Sequence, residues 1–238
     1  MAKERLDKLI ASTGRWSRRE VKTLVREGRV LVDGRIAGSA EEKYDAESCR
    51  IAVNGEELLL RRHTYVMLHK PAGVLSATED GRGRTVLDLL TPELRKIGVF
   101  PVGRLDKDTE GLLLLTDDGE LAHALLSPKK HVDKVYYARV SGRLTPDDCA
   151  AFEAGMTLGD GLECLPAGLE VLAAGETSEC LVTLREGKFH QVKRMLAARG
   201  KPVTYLKRLS MGSLRLDDTL APGEFRLLTA AEEAQLQR

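Results

Sequence analysis

Gly103-Arg104-Leu105-Asp106-Lys107-Asp108-Thr109-Glu110-Gly111-Leu112-Leu113-Leu114-Leu115 is the stretch on which the reading of the fold turns. Four leucines in a row, with no helical spacing of polar residues among them, read as a strand buried on both faces. The residues before them are polar and charged and are bracketed by Gly103 and Gly111. Such a segment abutting a buried strand predicts a loop at the edge of a cleft. Asp106 has cations on both sides, and a cation close to a carboxylate favours its ionised form. An ionised, positioned carboxylate can act as nucleophile or base. A surface loop with ordinary local ion pairs would have the same composition.

Working outward, Tyr65-Val66-Met67-Leu68 predicts a strand closed by Lys70-Pro71-Ala72-Gly73, and Thr85–Leu90 a short helix. Asp117-Asp118-Gly119 predicts a turn into a helix over Glu120–Leu126. Strands are expected over Val135–Val140, Glu179–Leu184, Val203–Leu209 and Glu224–Leu228. Helices are expected over Pro146–Ala154, over Gln191–Arg199 before Gly200, and over Thr229–Gln237. Only Leu158–Gly175 carries no readable motif. Strands dominate and helices do not alternate strictly with them. The expected class is therefore α+β, with a mixed, mainly antiparallel sheet and flanking helices over residues 63–238.

Toward the N-terminus the texture differs. Leu6, Leu9 and Ile10 stand at helical spacing before Gly14. Ser17-Arg18-Arg19-Glu20 is a capping box ahead of Val21, Leu24 and Val25, with Gly28 as the stop. Asp33-Gly34 and Asn54-Gly55 each join two short apolar runs, as in β-hairpins. These elements predict a small α/β module over residues 1–62. Its helix pair presents Lys8, Arg15, Arg18, Arg19, Lys22 and Arg26, with Arg5 just ahead. Long cations so placed suit a phosphate backbone, whose contacts give affinity without sequence choice. Trp16 among them could stack on a base or simply pack.

Bulk properties bound the rest. Met1–Ile36 holds ten Lys or Arg against five Asp or Glu, in a chain of formal net charge +1. Charge clustered in this way is a footprint of phosphate binding. No apolar run reaches the roughly 20 residues of a membrane span, and no apolar leader opens the chain. A cytoplasmic protein is expected. Cys49, Cys149, Cys164 and Cys180 form no C-x-x-C pair, so reduced, buried thiols are expected. The histidines lack metal-ligand spacing, and there is no dinucleotide fingerprint or P-loop. No metal and no cofactor are expected.

Three segments together carry a resemblance. Gly103–Gly119 reads G-R-L-D-K-D-T-E-G-L-L-L-L-T-D-D-G, Lys134–Tyr137 reads K-V-Y-Y, and Glu186–Met195 reads E-G-K-F-H-Q-V-K-R-M. All three resemble signature motifs of the pseudouridine synthases, in the ribosomal small-subunit branch with its large-subunit relatives. R-L-D-K-L-I-A and S-R-R-E-V-K-T-L-V-R-E-G-R-V-L-V-D-G at the front resemble the S-four RNA-binding domain.

The resemblance implies roles for individual residues. By it, the catalytic aspartate falls on Asp106, and Arg104 beside it binds phosphate and helps hold the flipped nucleotide's place. Tyr136 stacks on the extruded uracil, which has lost its stacking neighbours. Val192 packs near the base. Lys193 pairs with Asp106, with Arg194 as the next candidate. Many members carry Arg at the Lys193 position, and an ammonium does not replace a bidentate fork. Met67–Gly73 resembles the N-K-P-x-G segment, with His69 in place of Asn, and there Lys70 could contact RNA. Gly81-Arg82-Gly83-Arg84 is a basic loop, so Arg82 and Arg84 are further RNA candidates.

The expected substrate is a uridine of small-subunit rRNA, free or in a partly assembled ribosomal particle, acted on by a monomer. Alternatives are a large-subunit rRNA enzyme or a silent RNA-binding assembly factor. A glycoside hydrolase pairing Asp106 with Asp108, Asp117 or Asp118 is a further rival. Sugar-binding aromatics for that chemistry are scarce, at 4% of residues.

Overall fold

The computed structural model describes residues 3–46, 48–127 and 130–236. Its packing separates two units, Met1–Thr64 with Leu90–Val99, and Tyr65–Leu89 with Phe100–Arg238.

The first unit follows local sequence signals closely. Leu6–Ala11 and Arg18–Arg26 are helices. The second begins at the expected capping box, where Ser17 Oγ accepts the Glu20 amide at 3.3 Å and Glu20 Oε2 accepts the Ser17 amide at 2.6 Å. Four antiparallel strands run in the order Arg35–Ile36, Val30–Val32, Ile51–Val53, Glu56–Leu58. Both hairpin turns have positive φ at their two central residues, 50° and 77° at Asp33-Gly34 and 56° and 81° at Asn54-Gly55. Tight turns of that mirror-image type match strand twist and select Asn, Asp and Gly. Leu6, Ile10, Val21, Leu24, Val30 and Ile51 form the core between helices and sheet.

One helix of this unit comes from beyond Arg62, the expected end of the module. Pro92–Ile97 is capped by Thr91 Oγ1 and stopped by Gly98 at φ 86°. It lies so close to Gly14 that a Cβ there would sit 2.3 Å from the Glu93 carbonyl oxygen.

The second unit is built on a nine-stranded sheet. Its main path is Gly168–Ala173, Thr177–Leu184, Lys134–Ser141, Val203–Met211, Glu110–Thr116, Tyr65–Lys70, Phe225–Leu227. Every neighbouring pair on that path is antiparallel except Val203–Met211 with Glu110–Thr116, which is parallel. At this junction Gly111 has φ 106°, and a Cβ on it would lie 2.2 Å from the Arg208 carbonyl oxygen. The start of the leucine strand therefore holds a position that only glycine can fill.

Leu112 and Leu114 join Tyr65, Met67 and Met211 in a core closed by the helices Gly119–Leu126 and Ala230–Leu236. On the other half of the sheet, Ala138, Val140, Cys180, Val182 and Leu206 are buried with Phe152, Met195 and Leu196 of the helices Pro146–Ala154 and Gln191–Ala198.

Several details differ from expectation. The helix over Thr85–Leu90 is a single 3₁₀ turn, Val86–Leu89. Leu158–Gly175 contributes to a short hairpin, Met156–Thr157 with Glu163–Cys164, and to the edge strand Gly168–Ala173. Gln237, expected in the closing helix, lies outside the described residues. Cys164 and Cys180 are buried free thiols, whereas Cys49 and Cys149 are only half-buried. No helix among the described residues is long and apolar enough to cross a membrane.

Candidate active site

The loop between Gly103 and Gly111 is held by its backbone. Ser76 Oγ donates to the Leu105 carbonyl at 2.9 Å and accepts its amide at 3.1 Å. The Gly73 amide donates to the Lys107 carbonyl at 2.7 Å. Lys70 reaches up from the end of its strand, fully buried, and Nζ donates to the carbonyls of Pro71, Lys107 and Thr109 at 3.0, 3.2 and 2.9 Å. Three acceptors match the three N–H groups of an ammonium. Burial pushes the pKa of this amine down to about 8, against the pull of Asp108, Asp106 and Glu110. With no exposed surface, Lys70 cannot touch RNA as expected, and it holds the loop that carries Asp106 instead.

The clamp leaves the Asp106 carboxylate half-exposed, facing the start of the helix Gln191–Ala198. Lys193 Nζ lies 3.0 Å from Asp106 Oδ2 and 2.6 Å from Asp108 Oδ1. Burial alone would lower the pKa of Lys193, but hydrogen bonds to Asp108 and Asp106 outweigh it and hold the amine above its ordinary value. The same contact holds Asp108 below the usual carboxylate range. His190 Nε2 lies 3.6 Å from Asp106 Oδ1. His190 precedes the helix in the left-handed conformation, φ 51°, a region costly for a residue with a Cβ.

Successive residues of a helix point about 100° apart. Val192, Lys193 and Arg194 accordingly serve three directions. Val192 lines the cleft with Tyr136, Leu184, Leu206, Arg104 and His190. Lys193 meets Asp106. Arg194 turns to Asp160 on the hairpin between Met156 and Cys164, so it does not reach Asp106 as the second candidate. Tyr136 is 9% exposed, on the sheet face shared with Ala138 and Leu206. Tyr137 points to the other face and packs edge-on to Tyr205. Arg104 is exposed at the cleft mouth.

Of the N-terminal cations, Arg5 and Arg18 both bond the buried carboxylate of Asp7. Lys8 pairs with Glu4, Arg15 with Glu56, and Lys22 with Glu41. Arg19 and Arg26 are exposed with no carboxylate partner among the described residues. The exposed pairs of Lys8, Arg15 and Lys22 are worth only about 0–1 kcal/mol, so these three cations can exchange a carboxylate for a phosphate. Arg82 and Arg84 are exposed on a turn closed by Asp80, whose Oδ1 accepts the amides of Arg82 and Gly83.

Sequence reasoning misses His190, the clamp made by Lys70 and Ser76, and two polar atoms buried without a partner, Thr109 Oγ1 and Arg208 Nη2. His190 stands inside the E-G-K-F-H-Q-V-K-R-M motif, so only its contact with Asp106 is hidden. No group of three or more His, Cys, Asp or Glu among the described residues is arranged to hold a metal.

Comparison with known proteins identifies the family. A family model described as RNA pseudouridylate synthase matches residues 64–198, and the S4 domain matches residues 4–48. An uncharacterized RNA pseudouridine synthase of Bacillus subtilis, YtzG, is 49% identical over 96% of each chain. The ribosomal small subunit pseudouridine synthase A of Vibrio cholerae is 41% identical, over 98% of this chain and 99% of its own. The ribosomal large subunit pseudouridine synthase B of Bacillus subtilis is 38% identical, over 98% and 96%. A solved pseudouridylate synthase superposes with a TM-score of 0.68 at 35% identity, covering 98% of this chain and 99% of the other. A clamped aspartate beside a lysine, a buried tyrosine in the same cleft and an RNA-binding front module thus have one shared explanation: the chain is an RNA-binding isomerase and belongs to the pseudouridine synthase family, in the branch that carries an N-terminal S4 domain.

Proposed function

We propose that this enzyme converts one uridine of small-subunit rRNA to pseudouridine, with Asp106 as its catalytic carboxylate. The Asp106–Lys193 ion pair, set in one cleft with Tyr136 and Val192, carries the reading. The uridine is extruded from its helix, and the uracil ring stacks on Tyr136 against Val192. Asp106, paired with Lys193, starts the reaction at the ribose, by attack on the sugar or by removal of its 2′ proton. The bond from N1 to C1′ breaks, the uracil turns, and a bond from C5 to C1′ forms as Asp106 leaves C1′ on the first route, or returns the proton to C2′ on the second. C5 gives up its proton and N1 gains one, so the sum is an isomerisation without redox change. Arg104 at the mouth holds a phosphate of the displaced strand. Arg5, Lys8, Arg15, Arg18, Arg19, Lys22 and Arg26 of the S4 domain, with Arg82 and Arg84, supply further phosphate contacts.

The small-subunit assignment draws on the Vibrio cholerae relative and on the H-Q-V-K-R-M segment. The similarity to a large-subunit enzyme keeps the other rRNA as the competing substrate. A monomer working in the cytoplasm on rRNA, free or in a partly assembled particle, completes the reading.

The test is carbodiimide labelling and reverse transcription on unmodified small- and large-subunit rRNA, each with and without ribosomal proteins. The wild-type chain should add one stop in small-subunit RNA. Asp106→Asn, shown by its melting curve to be folded and by filter binding to hold RNA, should add none. A stop in large-subunit RNA overturns the substrate. A folded Asp106→Asn protein that still makes pseudouridine overturns the role of Asp106. Tight binding without a stop anywhere leaves a silent assembly factor.

A further inference from the structure

Phe189 is 75% exposed, more than Leu59 or Ile36, and it is the only aromatic among the large apolar side chains left exposed in the described residues. A ring in water forfeits the burial free energy that would normally draw it into a core. Its position is not arbitrary. One face lies flat on His190, with ring centroids 3.8 Å apart and planes 17° from parallel. His190 in turn lines the cleft and sets Nε2 3.6 Å from Asp106 Oδ1. The left-handed backbone at His190, φ 51°, keeps this column standing at the head of the helix that carries Lys193. The outer face of Phe189 is therefore an open aromatic surface, one ring removed from the reacting carboxylate.

We propose that this open face is a stacking site for the base next to the target uridine, a contact that rests on the pseudouridine synthase reading above. Extruding a uridine strips two neighbouring bases of a stacking partner. Tyr136 takes the flipped ring inside the cleft and leaves those neighbours uncompensated. Phe189 stands at the rim and offers one of them a replacement face, with Arg104 and Lys188 close by for the phosphates on either side. Every base has a π-face, so such a platform favours large purine surfaces without reading hydrogen-bond edges. The site thus selects the context of the uridine, and the uridine itself is selected inside the cleft.

The experiment is a chemical double-mutant cycle on the full chain, using the rRNA in which the wild type makes its new pseudouridine. That RNA is rebuilt by splinted ligation with an abasic nucleotide on one side or the other of the modified position. Phe189→Ala and Phe189→Trp are compared with wild type in single-turnover assays. Loss of one stacked base predicts a fall of about 5- to 100-fold in kcat/KM for Phe189→Ala on intact RNA, mostly in KM, with Phe189→Trp near wild type. On RNA abasic at the stacked position, wild type should drop to the level of Phe189→Ala, and Phe189→Ala should be indifferent to the change. A 2-aminopurine at that position should be quenched on binding wild type and stay bright on Phe189→Ala. If Phe189→Ala matches wild type, or if its defect adds independently to both abasic defects, the stacking site does not exist. Failure of wild type to modify any RNA would instead sink the underlying function, which the wild-type arm reports separately. Because Phe189 is so exposed, its truncation leaves the fold intact, as a melting curve will check.

Discussion

Replacing Lys70 with methionine should separate catalysis from stability. The lysine's three bonds go to the carbonyls of Pro71, Lys107 and Thr109, the last two belonging to the loop that carries Asp106. Methionine has nearly the same length and no donor. The Lys107 carbonyl keeps its bond from the Gly73 amide, so the part-buried Pro71 carbonyl and the buried Thr109 carbonyl lose the donor that Lys70 gives them. A buried acceptor stripped of its partner costs about 1–3 kcal/mol, hence roughly 2–6 kcal/mol for two. Against this stands relief of burying an ammonium. A pKa pushed down to about 8 from 10.5 puts that penalty near ~3 kcal/mol. The net effect by urea unfolding should lie between a gain of about 1 kcal/mol and a loss of about 3 kcal/mol.

Activity should suffer more, because slack of about 1 Å at a reacting group can cost roughly 100-fold. A single-turnover assay of pseudouridine formation decides the matter. Full activity in Lys70→Met, or a loss that merely tracks the unfolded fraction, would refute the clamp. The pH dependence offers the same test. Between about 8 and 10.5 the unfolded chain holds more protons at this site, so this group's contribution to stability rises with pH, while the clamp loses one of its three donors. Activity should therefore fall above pH 8 without any weakening of the fold from this source, and Lys70→Met should lack that limb.

Lys193→Met should lower the rate of the chemical step by about 100-fold or more, and Lys193→Arg should restore most of it, since a guanidinium can also bridge Asp106 and Asp108. Rapid-quench single turnovers check both. Gly111→Ala adds a Cβ 2.2 Å from the Arg208 carbonyl oxygen at φ 106°. Overpacking and backbone strain together predict a loss of roughly 2–5 kcal/mol, seen as a lower melting temperature. Glu232 is held at about 2 chiefly by its bonds from Arg226, and Asp217 at about 2 by bonds from Thr219 and Arg226. Depressed carboxylates add stability that is full above their unfolded values and is lost as pH falls toward 2, so Arg226→Met should be less stable at pH 7 and show a flatter decline below pH 4.5. Removing the unpaired cations Arg19 and Arg26 one at a time should each reduce the slope of log affinity for RNA against log salt by about 1, uniformly across sequences.

Legibility in the sequence divides by the range of the interaction responsible. Capping boxes, mirror-image turns and the leucine run are decided within a few residues, and they form where expected at Ser17–Glu20, Asp33-Gly34, Asn54-Gly55 and Glu110–Thr116. Pro92–Ile97 carries the same kind of signal, with Thr91 to cap it, Pro92 at its first turn and Gly98 to stop it, and is readable on those grounds. The hairpin Met156–Cys164 is not, because two-residue strands have no periodicity and are held by distant partners. The Leu165 amide bonds Glu186 Oε1, and Asp160 holds Arg194.

The two errors at the site share this cause. The resemblance of Met67–Gly73 to the N-K-P-x-G segment offers Lys70 to RNA, and an isolated lysine is ordinarily costly to bury. The rule fails where a turn and a loop aim three carbonyls at one point, a convergence of residues 71, 107 and 109 that no local pattern encodes. Arg194 stands as a candidate partner for Asp106 because it adjoins Lys193, yet adjacent helical positions point about 100° apart. One of the two had to turn away once Val192 faced the cleft. Which one turned depended on Asp160, in the segment without a readable motif. A motif names the groups a reaction needs. The backbone that converges on them decides which charge stands at the carboxylate and which is spent holding the loop.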